Sequence, residues 1–212
     1  MKKIILIVVG IVILGTAGWG IYYFSKPAPP TQPSGNQDQL VDWKTYRNQQ
    51  YKFEIKYPQN FLFNEGGSPM FAVGEFFVGT GTNLVTISLF DDSYSGTNYV
   101  DAFITLSVGD KISEAYCSKA QNEGSTEIID LFKSKTIDNL QFYRGEADGA
   151  AAGTFVKDVI YHAFYNNDCY EATLNLFQGN IGNYPEGTVT QVNETEVFNR
   201  LESVLATFKV IP

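Results

Sequence analysis

The sequence predicts an α+β domain, a mainly antiparallel β-sheet flanked by helices, preceded by one N-terminal transmembrane helix. Three observations carry that reading. Residues 4–24 hold no charged side chain. Most of the remaining chain is cut into short apolar or alternating runs by clusters of Gly, Asn, Asp and Pro, the pattern of strands joined by turns. Near the C-terminus Val197, Leu201, Val204, Leu205 and Phe208 recur at the spacing of one helical face.

Lys2 and Lys3 precede the uncharged stretch, which is 21 residues long. A helix rising about 1.5 Å per residue carries such a stretch across a hydrocarbon layer roughly 30 Å thick. The positive-inside rule keeps the two lysines in the cytoplasm and sends the bulk of the chain across, although Lys26 on the far flank weakens that bias. Residues 1–25 are therefore read as a single-pass signal-anchor with a cytoplasmic N-terminus, and the cell membrane is a partner through residues 4–24. Trp19, Tyr22 and Tyr23 favour retention, because aromatic rings settle at the end of a span. Gly15-Thr16-Ala17 offers the small residues that a signal peptidase prefers, so cleavage is the alternative. Either route leaves the C-terminal domain extracytoplasmic. No cysteine stands near the end of the apolar run for a lipid to modify.

Residues 26–42 form a Pro-rich linker, with four prolines between Lys26 and Gln39 that oppose both helix and sheet pairing. Residues 43–212 are then long enough for one ordinary domain. Within it, residues 52–57 alternate so that Phe53, Ile55 and Tyr57 share a face, and Pro58 ends the strand. Apolar runs at 70–78 and 84–90, separated by Gly79-Thr80-Gly81-Thr82-Asn83, predict a hairpin of adjacent antiparallel strands. Residues 102–108 predict a strand and 111–120 a short helix carrying Cys117. Strands at 140–147 and 154–165 follow around the small-residue turn 149–153. Asn166-Asn167-Asp168 tolerates left-handed backbone and returns the chain into a strand at 169–177, which completes a central meander. Asn193 caps the closing helix with Glu196 in the capping-box position. Residues 208–211 either close the structure as an edge strand or trail across it.

Hydrophobic residues are 44% and charged residues 18% of the chain, a folded rather than a disordered composition. The net charge is −8, and residues 43–212 alone carry 12 basic and 21 acidic side chains, or −9. Nucleic-acid binding draws on Lys and Arg that displace counterions, so this balance excludes nucleic acid as a partner, and equally the bare surface of an anionic membrane.

The two cysteines are Cys117 and Cys169. An oxidising compartment favours one long-loop disulfide between them, worth about 4 kcal/mol in the chain-entropy picture. Two separate buried thiols are the alternative. His162 is the one histidine, and with two cysteines it falls short of a structural zinc set, so no metal and no cofactor is expected. If the turn after Tyr165 is the two-residue Asn166-Asn167, strand pairing sets His162 opposite Glu171, with Asp158, Ile160, Phe164, Cys169 and Thr173 on the same face. A histidine oriented by a carboxylate beside a hydroxyl is the equipment of covalent catalysis. A flat sheet, however, supplies neither oxyanion donors nor a nucleophile turn, and Ser107 and Ser203 lack a strained glycine setting. The pair is therefore read as a cross-strand polar contact, and no catalytic residue is assigned.

Other motifs have local explanations. The acidic loop 91–96 lacks the alternating ligands of an EF-hand and reads as a solvated turn. The glycines at 74, 79 and 81 have no helix behind them to cradle phosphate. Asn193-Glu194-Thr195 matches a glycosylation sequon, but Asn193 is already explained as a cap. The long segment 178–192 is different: Asn183 and Tyr184 there suit recognition by hydrogen bonding and stacking. They are the first choice for a contact surface, with a tethered surface loop as the alternative.

Three stretches carry a resemblance: Trp43-Lys44-Thr45-Tyr46-Arg47-Asn48 running into residues 51–58, then Phe164-Tyr165-Asn166-Asn167-Asp168-Cys169-Tyr170-Glu171, and Ile181-Gly182-Asn183-Tyr184 with the closing helix into Thr207-Phe208-Lys209. Together they resemble anchored or secreted bacterial proteins of the candidate-phyla type whose domain is similar to PsbP and Mog1. The resemblance spans most of residues 43–212. It implies an α/β/α sandwich in a superfamily known more for protein adaptors than for enzymes. PsbP assists an oxygen-evolving complex and Mog1 binds a small GTPase; neither partner fits an anchored protein of this kind, and no functional residue is carried over. The expectation is a membrane-tethered, non-enzymatic module that binds or helps assemble other envelope proteins. The alternative is an envelope hydrolase or small-ligand binder using the His162 and Glu171 face.

Overall fold

The computed structural model describes residues 42–66, 76–109, 111–121, 127–151 and 153–212, all within a compact unit spanning Leu40–Pro212. The expected span 4–24 and nearly all of the linker lie outside the described residues. Among the described residues no helix is long and apolar enough to cross a membrane.

Twelve strands and two α-helices are described: β1 (Lys44–Asn48), β2 (Phe53–Tyr57), β3 (Leu62–Glu65), β4 (Gly81–Ser88), β5 (Tyr99–Gly109), α1 (Glu114–Cys117), β6 (Lys119–Gln121), β7 (Ile128–Asp130), β8 (Phe132–Ile137), β9 (Leu140–Ala151), β10 (Thr154–Tyr165), β11 (Asp168–Gly179), α2 (Glu194–Leu205) and β12 (Lys209–Val210). The main sheet has seven strands in the order β3-β4-β5-β11-β10-β9-β8. A three-stranded sheet, β1-β2-β12, and a two-stranded β6-β7 ribbon complete the set. Every pairing between these strands is antiparallel.

The meander β9-β10-β11 is built by its turns. Asn166 and Asn167 both adopt positive φ, 50° and 70°, the backbone of a tight two-residue hairpin whose twist matches its strands. Asp138 and Asn139, at 48° and 65°, do the same between β8 and β9. β11 lies between β5 and β10 with both faces covered, so every residue from Cys169 to Gly179 is buried and the strand reads as a continuous run rather than an alternation.

One face of the main sheet carries the principal core. Ile104, Leu106, Tyr161, Leu174 and Leu176 pack there against α2 and the small sheet, through Val197, Leu201, Val204, Leu205, Phe53, Ile55 and Phe208. Asn193 accepts the Glu196 N–H at 3.2 Å, but the Glu196 carboxylate turns to the Tyr94 hydroxyl at 3.4 Å, so the expected capping box is one-sided. β12 pairs with β2 as an edge strand.

Three expectations are corrected. The helix at 111–120 shrinks to Glu114–Cys117, because Lys111 takes φ 61° and residues from Lys119 turn extended to pair with β7. The expected strand at 70–78 does not extend over its described residues, and β4 has other partners. Residues 70–75 lie outside the described set, Phe76, Phe77 and Val78 are not in a strand, and β4 pairs instead with β3 and β5. Nor is the second face of the sheet layered by a long helix: among the described residues its cover is four-residue α1, Phe76 and Phe77, and the apolar side of β6-β7.

Candidate functional site

The second face of the main sheet is polar although buried. Row by row it sets Asn83, Ser107, Glu171 and His162 side by side, then Thr86, Thr105, Thr173 and Ile160, then Asn175 and Asp158. The register places His162 opposite Glu171, as the two-residue turn requires. His162 Nε2 lies 2.8 Å from Glu171 Oε2, and Nδ1 lies 3.1 Å from the carbonyl oxygen of Cys117. Glu171 Oε2 also accepts the Phe76 N–H at 3.0 Å. Phe77 stacks on the imidazole at a centroid distance of 5.3 Å. His162 is 0% and Glu171 3% exposed.

Cys117 and Cys169 are joined in a disulfide beside this pair, and tie α1 to the central strand. One ligand-type atom from each of Cys117, His162 and Cys169 falls within 4.8 Å of the others, with both sulfurs committed to each other. Further along the face, Asn175 Nδ2 donates to Asp158 Oδ1 at 2.5 Å, while Thr173 Oγ1 and Asn175 Oδ1 have no hydrogen-bond partner among the described residues. Burial pushes the Asp158 carboxyl up to about 6 against the opposing pull of the Asn175 bond, and the Asp148 charge adds to the rise. This face joins layers, and the imidazole is fully buried within it.

The acidic loop 91–96 is likewise committed to structure. Asp91 Oδ1 accepts the Ser93 N–H at 2.8 Å, and Oδ2 pairs with Arg200 at 2.6 Å on α2. The Ser93 backbone bond first, and then Arg200, hold this carboxyl down at about 2.

The open chemistry lies on the α2 face, where β9 and β10 run past the N-terminus of the helix. A cleft of about 310 Å³ is lined by Arg144, Glu146, Asp148, Lys157, Glu194 and Glu202, with Phe198 among its apolar walls. A second, of about 350 Å³, is lined by Asn98, Phe155, Gln178, Asn180, Ile181 and Gln191. Asp148, Lys157 and Glu194 line both, so the two form one groove. Lys157 pairs with Glu194 at 2.6 Å and Arg144 with Glu146 at 2.5 Å. Glu194 also accepts Gln178 Nε2 at 3.0 Å, and the Lys157 and Gln178 bonds lower its titration.

Asn183 and Tyr184 follow directly on Asn180 and Ile181, which line this groove, but do not line it themselves. Asn183 closes a 3₁₀ turn, Ile181–Asn183, whose cap is Asn180. The turn is seated on two glycines. A side chain at Gly179 would collide with the Tyr184 ring, and one at Gly153, where φ is +82°, would meet Asn183 Nδ2 at 2.6 Å. Tyr184 keeps 38% of its surface exposed; in the groove itself Ile181 is 41% and Phe155 48% exposed. The sequence reading selects Asn183 and Tyr184 but misses Asp148, Phe155 and the groove. The available signal is Phe155 on the polar end of a long hairpin, next to a turn too short to bury it.

The described fold is a mainly antiparallel sheet with few helices, a buried polar seam on one face and an open groove on the helix side. No family model matches the chain, and no curated protein matches it in sequence. Solved structures similar to it include the following two. One is a protein from Bacteroides thetaiotaomicron VPI-5482, with a TM-score of 0.46 and 12% identity over 81% of this chain and 50% of that one, so the chain spans half its length. The other is the cyanobacterial PsbP, CyanoP, from Synechocystis sp. PCC 6803, with a TM-score of 0.41 and 11% identity over 88% and 98% of the two chains. Likeness at this level does not extend to function.

Proposed function

We propose that the protein is a non-catalytic, protein-binding or assembly module of the cell envelope, held at the membrane by residues 4–24 with residues 43–212 on the extracytoplasmic side. The observation that supports this reading is a contrast in exposure. The groups with catalytic potential, His162 and Glu171, are enclosed, whereas Phe155 and Ile181 line an open groove and Tyr184 is exposed on the loop that follows it. Aromatic side chains beside polar groups are the usual anchors of protein recognition. The uncharged stretch at residues 4–24 and the proline-rich residues after it supply the tether.

The test is capture from native membranes after mild crosslinking, with Phe155→Asp and Tyr184→Ala in parallel. A defined envelope protein should be captured by the wild-type chain and lost in both variants. Capture of nothing, or of the same protein by all three, refutes the reading.

A further inference from the structure

β9 has an open edge. β10 pairs with it along its whole outer half, from Phe142 to Ala151, but β8 pairs only from Leu140 to Arg144. The chain turns away at that point for a visible reason: Leu131 lies over Gly145, and its N–H donates to the Ser118 carbonyl at 3.0 Å. Among the described residues, therefore, no strand pairs with residues 145–151 on the side away from β10. An unpaired edge of this kind is a template for an added strand.

The edge also carries a charge pattern. Ala151 and Thr154 close a two-residue hairpin, and the closing pair of such a hairpin exchanges both of its hydrogen bonds. Counting back by twos, Ala150, Asp148 and Glu146 turn their backbone N–H and C=O outward. Glu146 and Asp148 are also the residues whose side chains line the groove. Arg144 answers Glu146, whereas Lys157, which stands across from Asp148, directs its ammonium to Glu194 at 2.6 Å. A second copy of this chain is a poor occupant, since two-fold pairing about Ala147 would set Glu146 opposite Asp148, and like charges directly opposite are destabilising.

We propose that residues 145–151 of β9 receive an extended, basic segment of a partner protein as an added strand, with its Lys or Arg side chains set against Glu146 and Asp148. This inference rests on the protein-binding reading and names the chemistry of the partner. Alternate residues of the incoming strand face the groove, and an apolar one at the hairpin end meets Phe155. Salt weakens the contact, because the charges are exposed.

The experiment uses the whole chain and labelled peptides of alternating lysine and valine, followed by fluorescence anisotropy. Three comparison peptides carry threonine for lysine, glutamate for lysine, or the basic sequence N-methylated at every second amide. The basic peptide should bind, and the other three should bind at least about tenfold more weakly. Glu146→Lys with Asp148→Lys should reduce binding of the basic peptide about as much, with circular dichroism unchanged because both residues are on the surface. Equal binding of the N-methylated peptide overturns the added strand, and equal binding of the threonine peptide overturns the charge argument. No peptide binding, with a partner still captured from membranes, overturns this inference alone. No binding and no capture overturns the protein-binding reading with it.

Discussion

His162 and Glu171 face each other across β10 and β11, with Nε2 2.8 Å from Oε2 and both side chains enclosed. The contact is a joint between layers. Through His162 it holds the Cys117 carbonyl of α1, and through Glu171 it holds the Phe76 N–H, so three separate segments meet at one buried hydrogen-bonded contact.

Glu171→Ala should therefore be among the most damaging single substitutions. It strands the imidazole and the Phe76 N–H in a dry site, and leaving a buried polar group without its partner costs about 1–3 kcal/mol for each. Urea unfolding should show a lower midpoint with little change in slope. A loss below about 1 kcal/mol would contradict the role given to the pair, because that is the range of an exposed contact.

The disulfide closes a loop with a sequence separation of 52, for which chain entropy gives about 4 kcal/mol. Cys117→Ser with Cys169→Ser should lower stability by roughly that amount. Hydrogen exchange should report it first at α1, whose four residues have little other support. Unchanged protection there would mean that packing alone holds the cover in place.

Asp158 titrates at about 6 rather than at the 3.8 of a free aspartate, because it is buried. In acid it is protonated in both folded and unfolded chains. As pH rises the unfolded chain ionises first, so stability falls between about pH 4 and 6 and the deficit then stays constant. At about 1.4 kcal/mol per tenfold change the upper bound is ~3 kcal/mol. Asp158→Asn keeps an acceptor for Asn175 and should stabilise the protein by about 1–3 kcal/mol at neutral pH and hardly at all near pH 4. Asp101, also raised by burial, keeps its own slope in both proteins, so the difference between them isolates Asp158.

Asn193→Ala removes the Oδ1 acceptor for the Glu196 N–H and should cost about 1 kcal/mol. Glu196→Ala tests the other half of the motif. Its carboxylate reaches Tyr94 rather than the cap, so its loss should leave helix protection in hydrogen exchange nearly unchanged.

The parts of this fold that could be read in the sequence are those fixed by local chemistry. Asn166-Asn167 dictates a two-residue turn, the turn dictates the register, and the register alone places His162 against Glu171. The stripe from Val197 to Leu205 likewise announces a helix with one buried face, whereas Phe208, expected on the same face, lies beyond the helix end and packs in the core on its own account. The failures come where a long-range contact overrides the local pattern. Phe76 and Phe77 look like part of a strand because they are apolar and consecutive, yet they are consumed in covering His162 and the disulfide. β8 was illegible: its residues, Phe132-Lys133-Ser134-Lys135-Thr136-Ile137, are largely exposed, and the strand owes its place to pairing with β9. The groove was illegible for a related reason, since no run of residues reveals where a neighbouring strand stops.

The most direct test of the protein-binding account is site-specific photocrosslinking in native membranes. A photoreactive side chain is placed at Phe155, beside the groove, or at Tyr116, an exposed aromatic on α1. The account expects a discrete adduct from position 155 and none from position 116. Adducts of equal yield from both positions, or none from either, would contradict it.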